Sequence, residues 1–216
     1  VFDTSDPVEH IISTDGGTTF AASADKDFGQ ALLDLIQIWP DASSADTNDV
    51  LSFWLDYSAS TLKVVQWDDS AGLWLAAATI STGIGRSVTY NNFSTAYRRS
   101  DGHVFVIAFE TDGSPNTLKF WDVNGTGSIT ARTNVLTNIA SANTCALQVD
   151  TDGDLYAFYG RANFIYYKVS SDSGATWGSE TLYSSVSEDL TSVYADPSPN
   201  VPKAIAAYYS FSDSDL

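Results

Sequence analysis

Three carboxylates alternate with other residues along one short stretch of the chain, Asp150-Thr151-Asp152-Gly153-Asp154. Alternating Asp side chains around a Gly turn supply the kind of oxygen ligands with which a calcium-binding loop begins. A complete loop of that kind needs a Glu at its twelfth position, and Arg161 stands there. The Asp-Gly pair is also typical of a tight turn between two strands. The stretch therefore predicts a hairpin turn, with weak Ca²⁺ binding by Asp150, Asp152 and Asp154 as the alternative, and no other cofactor is expected.

A second pattern occurs twice, near the two ends of the chain, and fits the template Ser-x-Asp-x-Gly-x-Thr-aromatic. Its members are Ser13, Asp15, Gly17, Thr19 and Phe20 in the first copy, and Ser170, Asp172, Gly174, Thr176 and Trp177 in the second. An Asp in a tight turn accepts hydrogen bonds from the backbone N–H groups just ahead of it. A Gly takes positive φ without steric cost. We expect each copy to form a rigid corner between two strands, and a duplicated corner indicates an internal repeat.

The duplicated pattern resembles the Asp-box, or BNR repeat, of the sialidase-like β-propeller superfamily. The resemblance covers the two eight-residue motifs and a weaker periodicity in the rest of the chain. It implies a propeller in which each motif joins the third and fourth strands of a blade, on the side away from the active site. Two further aspartates, Asp69 and Asp122, follow strand-like segments and continue the register in steps of 54, 53 and 50 residues. This spacing predicts about four blades, each a four-stranded antiparallel sheet, or else a segment of a larger propeller.

The same register predicts the strands of each unit. Short β-rich runs follow turn signals throughout, which indicates an all-β chain. The runs expected as second strands are Leu51 to Asp56, Val104 to Glu110 and Leu155 to Tyr159. The inner strands expected before them are Leu35 to Trp39, Ser94 to Arg98 and Ala146 to Val149. Residues 1–216 are therefore predicted to form a single β-propeller domain. Because the chain begins and ends inside one blade, pairing of its N- and C-terminal strands would close the ring and protect the sheet edges.

The resemblance also raises the question of catalysis. Glycosidases of this superfamily grip a substrate carboxylate with three arginines and use a Tyr–Glu pair as nucleophile and an Asp as acid. This chain has five arginines and lacks the Arg-Ile-Pro type of motif that opens catalytic sialidase domains. One of Arg98 and Arg99 would face the central channel, because adjacent strand residues face opposite ways, and Glu110 would be the glutamate available to a channel Tyr. As surface groups of an acidic protein, the arginines would instead be ion-paired.

Aromatic side chains offer a further means of binding. The chain contains 6 Trp, 11 Tyr and 11 Phe. Most tryptophans are expected in the core, but one at a rim would stack on a sugar ring, since an aromatic face suits the C–H face of a pyranose. Trp39 joins Arg98 and Arg99 as the candidate ligand-binding residues. We predict a non-enzymatic recognition or structural module that binds a glycan or a protein partner in a surface assembly, with a sialidase-like glycoside hydrolase as the alternative.

Charge and hydropathy exclude other classes of partner. The 27 acidic and 10 basic residues give a net charge of −17, so no basic patch is available to neutralise nucleic-acid phosphates. No apolar run approaches the roughly 20 residues that span a bilayer, and membrane insertion is not expected. An excess of acid suits an extracellular or virion-surface location. The one cysteine, Cys145, is expected to be a buried small hydrophobe.

Overall fold

The computed structural model describes residues 11–12, 18–19, 21–22, 33–40, 49–56, 59–85, 92–110, 116–139, 142–161, 164–185, 190–195 and 206–210. Within these ranges every regular element is a β-strand and every strand pair is antiparallel, which confirms the predicted all-β class. None of these residues belongs to a helix of the length and apolar character needed to cross a membrane.

The strands form five sheets, which we label A to E along the chain. Sheet A contains β1 (Ile11–Ile12) and β2 (Ala21–Ala22). Sheet B contains β3 (Leu33–Pro40), β4 (Val50–Asp56), β5 (Thr61–Asp68), β6 (Leu73–Trp74) and β7 (Ala78–Thr82). Sheet C contains β8 (Phe93–Arg98), β9 (His103–Glu110), β10 (Asn116–Val123), β11 (Ile129–Ala131) and β12 (Leu136–Ile139). Sheet D contains β13 (Ala142–Val149), β14 (Leu155–Arg161), β15 (Phe164–Ser170) and β16 (Thr181–Ser185), and sheet E contains β17 (Leu190–Ala195) and β18 (Ala206–Ser210).

Sheets B, C and D share one topology, in which the first four strands of each sheet pair in chain order. In sheets B and C the outermost position is divided between two short strands: β6 and β7 both pair with β5, and β11 and β12 both pair with β10. The runs predicted as first and second strands lie within β3 and β4, β8 and β9, and β13 and β14. The repeated unit expected from the sequence is therefore a meander of four strand positions.

Strand β9 explains how the three larger sheets pack. Its residues alternate in direction, as side chains of a strand must. Phe105, Ile107 and Phe109 belong to a core that they share with sheet D. Val104 and Val106 belong to a second core, shared with sheet B. Because both faces of β9 are covered, its sequence is a continuous apolar run rather than an alternating one.

The first strands of successive sheets are neighbours. Strand β3 contacts β8, β8 contacts β13, and β13 contacts β17. Sheets B, C and D thus pack face to face in series, with their first strands on the same side. In the part of the chain that the structure describes, β1 pairs with β2 and β17 with β18. Closure of a ring by pairing the terminal strands stays a prediction.

Two of the aspartates used to count the repeat are not the residues that close their turns, and the predicted register is wrong there. Asp122 lies inside β10 with a nearly buried side chain, and Asn124 closes the following turn by accepting hydrogen bonds from the amides of Thr126 and Ser128. In sheet B the turn is closed by Asp68, whose carboxylate accepts hydrogen bonds from the hydroxyl of Ser70 and the amide of Ala71. Any short side chain with an acceptor oxygen performs this task, so a rule based on Asp alone misplaces the turns.

Candidate functional site

A surface cavity of about 410 Å³ lies between the β8–β9 turn of sheet C and the β13–β14 turn of sheet D, and we call it the inter-turn cavity. Its walls are formed by Tyr97, Arg98, Arg99, Ser100, Val149, Asp150, Thr151, Asp152 and Gly153. The predicted arginine pair and two of the three carboxylates of the predicted acidic stretch therefore meet at one site. They come together because β8 and β13 are packed side by side and both end at this edge of their sheets.

Arg98 is a fixed part of the wall. Its Nε and Nη2 atoms donate to the carboxylate of Asp101 at 2.6–3.1 Å, and its Nη1 donates to the hydroxyl of Ser173 at 2.6 Å. The guanidinium carbon also lies 4.7 Å from the centre of the Phe105 ring. Burial acts to raise the pKa of Asp101, but the hydrogen bonds from Arg98 and from the amide of His103 outweigh it and hold that pKa below its ordinary value. Arg98 is thus ion-paired, and its charge is already compensated.

Arg99 and Asp152 are the uncommitted charges of the cavity. Both side chains are exposed. Within the described residues, neither the Arg99 guanidinium nor the Asp152 carboxylate has a hydrogen bond or an ion pair. One wall therefore offers up to five N–H donors and the other offers two acceptor oxygens to a molecule that enters.

Asp150 closes the turn on the acidic wall. Its Oδ1 atom accepts hydrogen bonds from the amides of Asp152 at 3.0 Å and Asp154 at 2.9 Å, and its own amide donates to the carbonyl of Asp154 at 3.0 Å. The acidic stretch is therefore a hairpin turn, as one of the two sequence interpretations predicts. No three His, Cys, Asp or Glu side chains among the described residues are grouped so that they could hold a metal ion. The hypothesis of Ca²⁺ binding by Asp150, Asp152 and Asp154 gains no support from this arrangement.

Ionisation is disfavoured at two side chains that follow the acidic wall in the chain. Burial, followed by repulsion from Asp150 and Asp152, raises the pKa of Asp154. Burial, followed by the charges of Asp150 and Asp154, also raises the pKa of Tyr156. Both shifts mean that one more negative charge at this turn is disfavoured.

The second copy of the repeated motif forms a corner between β15 and β16, the third and fourth strands of sheet D. Asp172 accepts hydrogen bonds from the Ser170 hydroxyl, from the Thr176 amide and, at 2.6 Å, from the Thr176 hydroxyl. The hydrogen bonds from Thr176 lower the pKa of Asp172 to about 2. The Gly174 amide donates to the Ser170 hydroxyl at 2.8 Å, and Gly174 has a φ of +80°. In the first copy, Ser13, Asp15, Gly17 and Phe20 lie outside the described residues, and Thr19 is exposed.

This corner packs on sheet C and contacts Arg98, a residue of the cavity wall. Trp177 packs edge-on against Phe120 with ring centres 5.3 Å apart, and its Nε1 donates to the carbonyl of Thr133 at 3.0 Å. The hydroxyl of Thr133 in turn donates to the carbonyl of Ala175 at 2.7 Å. Since Ser173 of the same corner holds Arg98, the cavity and the corner occupy the same end of the sheets.

Two other candidates lie elsewhere. Trp39 is in β3, paired in register with Leu51 of β4, and its side chain lies outside what the structure describes. Glu110 ends β9, whereas the inter-turn cavity lies beside the start of that strand. Its carboxylate accepts hydrogen bonds from the Ser81 hydroxyl and from Lys119. Within the described residues, the partners of Glu110 thus come from the outer strand of sheet B and from the neighbouring strand β10, and no tyrosine is among them.

No motif of the sequence indicates the tyrosine that does pair with a glutamate. The Tyr159 hydroxyl donates to Glu180, which also accepts a hydrogen bond from Arg161 at 3.1 Å. Burial first, and the hydrogen bond to Glu180 second, raise the pKa of Tyr159. The phenol is thus held in its neutral form within the core between sheets C and D, which is a structural role.

A buried carboxylate in sheet C was also missed. Asp122 accepts a hydrogen bond from Arg132 at 2.7 Å, and its other oxygen lies 2.6 Å from the Nδ1 atom of His103. The Asp122 side chain is only 4% exposed. Its partners come from β9 and from the segment after β11. The contact between Asp122 and His103 could be predicted only from the register in which β9 and β10 pair.

Comparison with known proteins identifies the fold. No family model matches the chain, and no curated protein matches its sequence. Among solved structures, the chain is similar to a Hadza microbial sialidase, with a TM-score of 0.52 and 11% identity over 77% of this chain and 40% of that one. It is also similar to a Bifidobacterium bifidum S17 protein described as an exo-beta-1,3-galactanase, with a TM-score of 0.51 and 13% identity over 96% of this chain and 80% of that one.

These likenesses concern the fold alone. Together with the antiparallel sheets, these neighbours support a propeller-like fold, and the number of blades and the closure of a ring stay predictions. The chain spans well under half the length of the sialidase that it matches.

Proposed function

We propose that this protein is a non-enzymatic carbohydrate-binding module of the β-propeller type, and that the inter-turn cavity is its glycan-binding site. Sheets B, C and D would be three blades, and sheets A and E would contribute to a fourth in a closed ring or in a larger propeller. A location outside a cell or on a virion surface is part of the proposal. The single observation that carries it is the presence of two uncommitted charged side chains, Arg99 and Asp152, on the walls of one cavity.

The chemistry of this cavity suits a sugar. Each sugar hydroxyl both donates and accepts hydrogen bonds, so it needs a donor such as Arg99 and an acceptor such as Asp152. A volume of about 410 Å³ lies within the range usual for small-molecule sites, which is about 300–1,000 Å³. The rest of the wall is fixed by Arg98 and Asp150, so the loss of conformational freedom on ligand binding is confined mainly to the side chains of Arg99 and Asp152. The names of the two structural neighbours, a sialidase and an exo-beta-1,3-galactanase, also favour carbohydrate as the first ligand class to test.

The arrangement of the cavity also argues against catalysis. The guanidinium of Arg98 is occupied by Asp101 and Ser173, and the carboxylate of Asp150 is occupied by backbone amides. The cavity shares its end of the sheets with the Asp172 corner, and in the superfamily that the motif resembles, this side lies away from the active site. A glycan held here would be bound without being cleaved.

Binding of a glycan array by the whole chain, followed by calorimetry on the best ligand, tests the proposal. Arg99→Ala and Asp152→Ala should each weaken binding about tenfold or more, the effect of losing one or two hydrogen bonds to a charged group. Arg161→Ala is the matched control, because this arginine belongs to the same sheet at the opposite end of β14. Failure of the wild type to bind any glycan, or unchanged binding by both cavity variants, would refute the proposal.

A glycoside hydrolase is the second candidate, and one observation favours it. Burial, followed by repulsion from Asp150 and Asp152, raises the pKa of Asp154, and the general acid of a glycosidase is a carboxyl group with a raised pKa. A panel of fluorogenic glycosides decides between the two. Turnover by the wild type that is lost in Asp154→Asn would make the protein an enzyme, whereas glycan binding without turnover supports the module.

A further inference from the structure

The charges around the inter-turn cavity do not balance. Four carboxylates stand in its two turns, those of Asp101, Asp150, Asp152 and Asp154, against the guanidinium groups of Arg98 and Arg99. Arg98 is neutralised by its paired hydrogen bonds with Asp101. What remains is the positive charge of Arg99 against the three carboxylates of one hairpin turn, of which Asp150 and Asp152 line the cavity and Asp154 follows them in the chain.

Geometry keeps these three carboxylates together. The amides of Asp152 and Asp154 both donate to the side chain of Asp150, so one hydrogen-bonded turn fixes the spacing of all three residues. The raised pKa values of Asp154 and Tyr156, caused first by burial and then by neighbouring carboxylates, are consistent with a negative potential at this wall. The whole chain, with a net charge of −17, adds to that potential over the longer range.

We infer that the inter-turn cavity selects neutral sugars and rejects acidic ones, such as sialic acids, uronic acids and sulfated sugars. This inference rests on the proposed function and specifies its ligand class. A neutral sugar presents only hydroxyls, which Arg99 and Asp152 can both serve. A ligand carboxylate is attracted by the charge of Arg99 but repelled by the three carboxylates of the acidic turn, two of which line the cavity, and the excess of two negative charges opposes its binding. For charges about 8 Å apart in water, such an excess weakens binding about fivefold.

Removal of single charges should change this selectivity in opposite directions. Asp152→Asn deletes one negative charge and keeps an amide oxygen that accepts hydrogen bonds, so the preference for neutral sugars should fall about twofold. Arg99→Ala deletes the only uncommitted positive charge of the cavity, so the preference should rise about twofold while overall affinity falls. The Arg161→Ala control should leave the preference unchanged. A purely steric discrimination would not respond to charge in this way.

The test uses an array that carries galactose-, glucose- and mannose-terminated glycans, each beside its sialylated, sulfated or uronic-acid counterpart. Dissociation constants of the best pair are then measured at 20 mM and 200 mM NaCl. We expect the neutral member to bind about fivefold more tightly at low salt, and we expect the difference to shrink at high salt because exposed charges are screened. Equal or tighter binding of the acidic member at low salt would overturn the inference and leave the proposed function standing. Absence of binding to every member would overturn both.

Discussion

The seating of the Asp172 corner on sheet C can be tested with one substitution, Gly174→Ala. A Cβ atom at this position would lie 2.0 Å from Cε1 of Phe120, and 2.6 Å and 2.7 Å from two other atoms of the same ring. Phe120 is 1% exposed and belongs to the core between sheets C and D, so its ring has little space into which it could withdraw. The added methyl group therefore has to displace either the ring or the corner.

The expected loss in the free energy of unfolding of Gly174→Ala has two parts. Gly174 has a φ of +80°, and an alanine in that left-handed region costs about 1 kcal/mol. Forcing an additional carbon into a well-packed core costs about 1–3 kcal/mol more. A total of about 2–4 kcal/mol should lower the melting temperature by about 5–15 °C, because each kcal/mol shifts Tm by about 2–4 °C in a domain of this size.

Gly127→Ala is the matched control. Gly127 has a φ of +74°, but an added Cβ there meets no atom within 4 Å. Only the backbone cost of about 1 kcal/mol should appear, and Tm should fall by about 2–4 °C. Both variants are measured by thermal unfolding followed by circular dichroism and by urea denaturation. Equal loss of stability in the two variants would refute the contact between the corner and Phe120.

Three further predictions concern single side chains. The folded pKa of Asp172, about 2, lies below its ordinary value of 3.8, so the stability it contributes is present above pH 3.8 and is lost as the pH falls toward 2. The gap in Tm between wild type and Asp172→Asn should therefore close over that interval, and a gap that persists at pH 2 would contradict this. Asp122→Ala should cost about 1–3 kcal/mol in urea denaturation, because it leaves His103 and Arg132 without their shared partner, and an unchanged midpoint would exclude this role. Cys145 is buried, and its burial raises the pKa of the thiol, so a disulfide reagent should label it only after unfolding.

Local chemistry was sufficient to predict much of the fold. The apolar run of β9 and the turn signals before it gave a strand within a residue or two of its observed bounds, because burial on both faces leaves a simple pattern. The side-chain acceptor of Asp172 and the φ of Gly174 are likewise properties of a few adjacent residues. Such features can be inferred without knowledge of distant parts of the chain.

Features that depend on packing between sheets could not be predicted in the same way. An Asp that follows a strand-like run predicts a turn, and this rule fails for Asp122. Arg132 and His103 stabilise its carboxylate inside β10 instead. The two walls of the inter-turn cavity were each recognised, as an arginine pair and as an acidic turn. Their meeting depends on contact between β8 and β13, which no short pattern in either strand encodes.

The turns that form the cavity are separate from both hydrophobic cores. Residues 99–102 and 150–154 belong to neither core, whereas the strands on either side of them do. Provided that Gly102 and Gly153 keep their positive φ, each of these two loops can be replaced by a loop of different sequence without repacking of the sheets. The same scaffold could in this way acquire a new ligand repertoire by loop grafting, in the laboratory or in evolution.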